Sequence, residues 1–356
     1  MVPDDPIENA EALIAAGKPH QAALALRAVL VAGRGGALAR AALVKALLAS
    51  NDVEGALAEA REAVSLSPQL PLALVTLAEA LLAAENLPAA IAELQRALRV
   101  DPDQAGARFL MGRAWAEAGE ADKALEIFAA LEPETPGLAE WAARAGRMQE
   151  AARSDPGYVR HLFDQFSADY DTRMLGPLAY AAPEILFALA DTVMPAREKL
   201  RILDLGCGTG LAGAVFRERA MALDGVDLSP AMIAKARAKA LYDHLWVGDI
   251  ESHLGQPGPA YDLIIAADTL VYLGDLAPVF KGAHGRLTAD GYFLFTVEAG
   301  GEGFELGPKR RWRHGEDYLR KEAAKAGFRV AGLVSAAPRQ EAQAPVAGFA
   351  VALAAA

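Results

Sequence analysis

The chain has 356 residues, 53% of them hydrophobic, and 35 basic against 46 acidic side chains give it a net charge of −11. That length suits two domains at roughly 150 residues each. The acidic balance excludes a general nucleic-acid binder, which needs a basic face, and a single cysteine, Cys207, excludes an internal disulfide. No apolar run nears the ~18 residues of a membrane span, and Met1–Pro6 is acidic and lacks a signal-peptide pattern. A cytoplasmic protein with no membrane and no nucleic-acid partner is expected.

From the amino terminus, a step of 34 residues repeats. Ala22, Ala56, Ala90 and Ala124 keep it, as do Leu13, Leu47, Leu81 and Trp115, then Leu26, Ala60, Leu94 and Phe128, then Leu43, Leu77 and Met111. A fixed small residue lets paired helices approach while a large one fills the gap beside it. Turn chemistry recurs at Gly17-Lys18, Asn51-Asp52, Glu85-Asn86 and Gly119-Glu120, and Pro68, Pro102 and Pro136 punctuate successive copies. The first copy has Arg34 in place of proline. Residues 3–138 resemble tetratricopeptide repeats, whose period this is. The resemblance implies a helical solenoid with a concave surface suited to a protein partner; buttressing the second domain, or forming a homodimer, is an equal reading of the same array.

Pro133-Glu-Thr-Pro-Gly breaks the last repeat, a helix near 138–152 caps it, and Asp155-Pro-Gly marks a joint. The domains are accordingly drawn as 1–152 and 153–356. Phe163, Phe166 and Tyr170 follow at i, i+3 and i+7, one face of a predicted helix, with the two phenylalanines read as core. Strands are predicted near 200–205, 222–227, 243–247, 261–266 and 291–297, with helices near 178–191, 210–219, 230–240 and 276–287. This alternation asks for a doubly wound parallel sheet. The last two apolar runs, from Phe328 and from Ala347, are too close in sequence for a parallel return, so an antiparallel last strand is expected.

Inside that sheet, Leu200–Gly210 reads Leu-Arg-Ile-Leu-Asp-Leu-Gly-Cys-Gly-Thr-Gly, with Asp227 ending the next apolar stretch. Gly206, Gly208 and Gly210 let backbone approach a ligand, and an acid at the next strand tip accepts ribose hydroxyls. Asp204, just before the glycines, is electrostatically wrong for a pyrophosphate and right for a cation. Ile202–Gly210, Gly225-Val-Asp-Leu-Ser-Pro, Val247-Gly-Asp-Ile and Tyr261-Asp-Leu-Ile-Ile-Ala-Ala-Asp stand in the order of the four motifs of class I S-adenosylmethionine (SAM)-dependent methyltransferases, which they resemble. The whole chain resembles a bacterial family of such enzymes with amino-terminal tetratricopeptide repeats. The fold implied is a helical repeat solenoid followed by a Rossmann-like sheet. The cofactor implied is SAM, with Asp227 on the ribose, Asp249 by the adenine, and Asp204, Gly206, Cys207, Gly208, Gly210, Leu228, Met232 and Ile250 around it. Cys207 serves packing there, having no base partner. The segment Phe163–Asp171 resembles the amino-terminal lid of small-molecule methyltransferases, with Tyr170 closing over the methionine part.

Acceptor chemistry is expected beyond the carboxyl ends of the fourth and fifth strands. Asp268 and Tyr272 follow the fourth, Glu298 the fifth, and a loop at Gly300–Gly303 leads to Lys309-Arg-Arg-Trp-Arg-His314. That cationic run reads either as a solvated loop or as a lid for an anionic acceptor, with Arg311 as anchor, Trp312 beside it and His314 as base. No metal site is expected, since the histidines lack ligand spacing. No Asn-Pro-Pro-Tyr follows the fourth strand, which turns the reading away from DNA bases and protein amides. The expected activity is methyl transfer to a small or carrier-borne acceptor, with resemblance to the biotin-pathway carboxyl methyltransferases at Gly248-Asp-Ile-Glu-Ser. The rivals are a scaffold with a silent SAM-binding domain and a protein methyltransferase acting on a repeat-bound partner.

Overall fold

The computed structural model describes residues 5–195 and 199–355. Its contacts fall into two compact units that meet between Glu150 and Ala151. The division precedes the expected one by two residues because the Ala152 carbonyl accepts from Gly274 and Asp275 N–H at 2.7 and 2.9 Å, which ties 151–153 to the second unit.

Among the described residues the first unit has nine helices: α1 (Pro6–Ala15), α2 (Pro19–Val31), α3 (Gly36–Ala49), α4 (Val53–Leu66), α5 (Pro71–Ala83), α6 (Leu87–Val100), α7 (Ala105–Glu117), α8 (Ala121–Ala129) and α9 (Leu138–Glu150). The 34-residue step is physical: Ala22, Ala56, Ala90 and Ala124 are all fully buried, and Leu26, Ala60, Leu94 and Phe128 are buried beside them. The turns repeat in the backbone as well. Gly17, Asn51, Glu85 and Gly119, one step apart, are left-handed at φ 71°, 61°, 56° and 77°. Each ends the first helix of a pair, and the following N–H returns to a carbonyl five residues back, as Asn86 does to Leu81 at 2.8 Å. Asp52 and Asn86 then cap the second helix. Where Arg34 replaces proline, Gly35 and Gly36 make the turn with positive φ.

The second unit opens with α10 (Pro156–Phe166), a 3-10 turn at Ser167–Asp169 and α11 (Tyr170–Leu175), so the single predicted helix face is broken in two. Phe166 is in consequence exposed, with the Arg173 guanidinium over its ring. There follow α12 (Ala182–Val193), β1 (Leu200–Leu205), α13 (Leu211–Phe216), β2 (Ala220–Asp227), α14 (Pro230–Ala238), β3 (His244–Val247), α15 (Ile250–Gly255), β4 (Tyr261–Ala266), α16 (Ala277–Arg286), β5 (Leu287–Ala299), β6 (Phe304–Leu306), β7 (Trp312–His314), α17 (Glu316–Lys325), β8 (Phe328–Ala336), β9 (Gln340–Glu341), β10 (Ala344–Pro345) and β11 (Gly348–Ala355). The sheet order is β3-β2-β1-β4-β5-β11-β8. β11 runs antiparallel to both neighbours, β5 and β8, as expected of the last strand. The sheet is buried on both faces: Leu203, Ile264 and Phe293 join one core, and their neighbours Ile202, Ile265 and Leu294 join the other. The strand order reverses beside β1, which places a crevice at the carboxyl ends of β1, β2 and β4.

Candidate active site

That crevice is a cleft of about 670 Å³, measured to its open mouth. Its floor is the loop after β1. Gly206, Gly208 and Gly210 are all left-handed, at φ 70°, 53° and 91°, a conformation that side chains rarely adopt. A Cβ on Gly206 would run into Thr269, whereas one on Gly208 would meet nothing within 4 Å. Gly208 is thus the point where bare backbone faces open space. The loop is pinned by Gly206 and Cys207 N–H, which both donate to the Val226 carbonyl at 2.8 and 3.1 Å.

Asp227 closes the floor. Its Oδ2 accepts from Gly208 N–H at 2.9 Å and its Oδ1 from Ser229 N–H at 2.8 Å. Burial pushes its carboxyl up to about 6 despite those donors. Asp204 lies under the loop and is fully buried. Tyr242 donates to its Oδ2 at 2.6 Å, while Oδ1 has no hydrogen-bond partner. Burial, opposed by Tyr242 and reinforced by the Asp227 charge, lifts it to about 7. Cys207 is buried, and burial raises its thiol well above the ordinary range, so it is no nucleophile.

At the other end of the floor, Asp249 caps α15 through Ser252 N–H at 3.0 Å and accepts from Arg153 at 2.5 Å. Burial works against its ionisation, yet the Arg153 and Ser252 hydrogen bonds hold its carboxyl below the usual range. Leu228 and Ile250 line the cleft between these acids. Met232 lies below it, fully buried.

The roof is the α10–α11 segment. Asp164 accepts from Ser229 Oγ and from Ala231 N–H, and Asp171 from Thr209 Oγ1 and from Lys239 at 2.7 Å. Phe163 packs edge-on against Tyr170 and Tyr272, with ring centres 6.1 and 5.5 Å away, and all three line the cleft. Phe163 therefore faces the site as well as the core reading given to it. Burial, with Asp268 and Tyr272 close by, pushes the Tyr170 phenol far above its normal value.

The far wall joins residues distant in sequence. Asp268, left-handed at φ 58°, donates its N–H to Thr296 Oγ1 at 2.8 Å. Its carboxylate is bound by Arg339, a side chain 1% exposed that also binds Glu298 and reaches Glu341 at 3.2 Å. Burial raises the Asp268 carboxyl, with Arg339 and Arg311 pulling the other way. Arg311 pairs with Glu341, lies 3.7 Å from Glu298 and stands close to the Tyr272 phenol, with which it interacts electrostatically. Tyr272 and Asp268 line the cleft, while Arg311 and Glu298 line a second cavity behind them.

Two sequence expectations meet a different placement. The cationic run is no loose loop: β7 pairs with β5, setting Arg313 opposite Glu298 and His314 opposite Ala299. His314 is fully buried, its Nε2 is 3.0 Å from the Gly274 carbonyl, and burial lowers its pKa to about 4. It stacks on Tyr318 and lines neither of these cavities, lying instead against the turn at Gly274. Trp312 packs on Phe304, and a Cβ on Gly274 would lie 2.6 Å from it; it too lines neither space. Arg153, Thr269, Arg339 and Glu341 went unnoticed in the sequence. Arg153 beside Asp155-Pro looks like a linker residue, and Arg339 sits in a polar turn whose folding back onto β4 and β5 has no local signal.

A family model described as a methyltransferase domain matches residues 203–293, and one described as a tetratricopeptide repeat matches 7–71 and 75–139. Among curated relatives, a malonyl-[acyl-carrier protein] O-methyltransferase of Serratia marcescens is 30% identical over 119 residues, 33% of this chain and 46% of that protein. A trans-aconitate 2-methyltransferase of Escherichia coli O1:K1 is 48% identical over 82 residues, 22% of this chain and 31% of that one. The chain thus spans less than half the length of either. Magnesium protoporphyrin IX methyltransferase from Synechocystis, solved with SAH, is similar over 57% of this chain and 100% of that one, at 17% identity and a TM-score of 0.46.

Proposed function

We propose that this chain, a SAM-dependent methyltransferase domain preceded by tetratricopeptide repeats, methylates a small or carrier-borne acceptor that bears an anionic group. The residues of the cleft floor fit a cationic nucleoside. Asp204 Oδ1, buried under the loop, is an acceptor without a donor, Asp227 adds a second carboxylate, and the lysine that reaches the glycine loop, Lys239, is paired with Asp171. SAM bound there supplies an electrophilic methyl group on a sulfonium.

The chain's own residues do the rest. Asp227 would hold the ribose hydroxyls and Asp249 would lie near the base, with Leu228 and Ile250 lining the cleft between them. Phe163, Tyr170 and Tyr272 form an aromatic wall that excludes water and holds the acceptor near the in-line geometry that displacement needs. An acceptor carboxylate carries no proton to remove, so its methylation asks for placement and desolvation more than for a base. Arg311 is the observation that carries the anionic reading: a half-buried guanidinium, paired with Glu341, whose charge acts on the Tyr272 phenol of the cleft wall. Both curated relatives named above have acidic acceptors in their names, which supports the same class. The repeats would present a partner protein, such as a carrier, to this domain.

Two arms test the reading. Asp227→Ala is expected to weaken SAM binding at least about 100-fold by calorimetry, from the loss of charge-assisted hydrogen bonds. Mass spectrometry of a pool of organic acids, acyl-carrier intermediates and neutral metabolites should find an acidic or carrier-borne acceptor made heavier by one methylene in an enzyme-dependent way. Unchanged SAM affinity in the variant, or products confined to neutral acceptors, would overturn it.

A further inference from the structure

Behind the far wall of the cleft lies a second cavity of about 920 Å³, measured to its mouth, between the end of β5, the 309–313 segment and the β9–β10 hairpin. Lys309, Arg311 and Arg313 line it, with Arg339 buried at its back. Against these four cations stand Asp268, Glu298 and Glu341, a local excess of positive charge in a chain of net charge −11. Such a chamber attracts an oxyanion.

Glu341 already plays that part. It binds Lys309, Arg311 and Arg339 together, and burial notwithstanding, these partners hold its carboxyl down at about 2. It stands on a hairpin of two residues a side, Gln340–Glu341 with Ala344–Pro345. The turn residues Ala342 and Gln343 are left-handed at φ 47° and 64°, and across the cavity Lys309 and Arg310 are left-handed at 64° and 58°. These are four of the ten non-glycine residues with positive φ among the described residues, and all four lie on the two loops that frame this one cavity. Residues with a Cβ disfavour that conformation, and such strain gathers at ligand clamps and switch regions. The Lys309–Glu341 ion pair bridges the two loops.

We propose that this cavity is an oxyanion site for the distal carboxylate or phosphate of the acceptor, and that Glu341 is its built-in occupant, displaced when the acceptor enters. Arg311 joins the two spaces: its guanidinium lines the cavity, where it binds Glu341, and acts electrostatically on the Tyr272 phenol of the cleft wall. An anion that takes the place of Glu341 is therefore one side chain from the cleft wall. The acceptor class is then an acid with a second anionic group, which deepens the function proposed above and rests on it.

The test uses the full chain, with citrate and inorganic phosphate as probes, titrated by calorimetry at constant ionic strength. Glu341→Gln removes the competing charge with little change of shape and should bind the preferred probe at least tenfold more tightly than wild type. Arg313→Gln should bind it at least threefold more weakly; it reads the same site without touching the hairpin. The tighter probe tells carboxylate from phosphate. SAM affinity, governed by the other end of the cleft, should change less than twofold in both variants. Equal affinity of wild type and Glu341→Gln for both probes, or no binding of either, overturns the chamber. Those outcomes leave the cofactor reading standing, whereas retained SAM affinity in Asp227→Ala would remove that reading by itself.

Discussion

The two ends of the cleft handle charge in opposite ways. At the glycine loop, burial outweighs the backbone N–H donors of Asp227 and the single Tyr242 donor of Asp204, so each carboxyl sits high, at about 6 and about 7. At the far wall, Asp268, Glu298 and Glu341 are met by arginines, and Glu341 sits low, at about 2. An end whose charge is only partly compensated is ready for a cation; an end closed by internal ion pairs must exchange one partner to admit a ligand. Burial is common to both, and the difference lies in who supplies the donors.

The comparison breaks first at Arg339. Arg339→Met leaves three carboxylates facing one another without their shared cation, and breaking a buried pair from one side costs about 3–5 kcal/mol. A large drop in thermal midpoint is expected, measured by circular dichroism. A change of under about 1 kcal/mol would mean that the wall is not held by this ion-pair net.

The glycine end is sharpened by a pair of variants. Gly206→Ala combines left-handed strain with a collision against Thr269, for about 2–4 kcal/mol. Gly208→Ala has the strain alone, for about 1–2 kcal/mol, but puts a methyl where backbone faces the cleft. Calorimetric SAM titration beside thermal melts should show Gly206→Ala mainly as lost stability and Gly208→Ala mainly as lost affinity. The reverse order would reassign the open face of the loop.

These two ends were not equally legible. The floor is one strand-turn-helix unit and its neighbour, so glycine spacing, the acid at 204 and the acid at 227 stand close in sequence and can be read together as one loop. The repeat half was legible for a related reason: Ala22, Ala56, Ala90 and Ala124 report packing by position alone. The far wall is assembled from residues 268, 298, 311, 339 and 341, and nothing local to Arg339 shows that a polar turn folds back over two strand ends. The cationic run was visible, but its pairing with β5 was not; that pairing sets His314 inward, where it is fully buried. Charge compensation across long sequence separations is what local pattern cannot encode.

The smallest expected effect is with pH. Asp204 and Asp227 have native pKa values raised above the unfolded range, so the folded protein holds more protons than the unfolded one between about pH 4 and 7. Their contribution to stability is present below about pH 4 and lost as pH rises through 6 to 7. Melts of the cofactor-free protein should show this decline, and Asp204→Asn should flatten its upper part. Affinity for a cation moves the other way, strengthening from pH 5 to about 7 and levelling beyond it. A SAM affinity that is flat across this window would dissociate these two carboxyls from the cofactor.

The central claim is that the floor of the cleft is shaped and charged for a sulfonium nucleoside. Calorimetric titration of the wild-type chain with SAM and, separately, with NAD at pH 7.5 reads it directly. Saturable binding of SAM with no heat from NAD is the expected result; NAD binding, or a cleft that takes up neither, would contradict it.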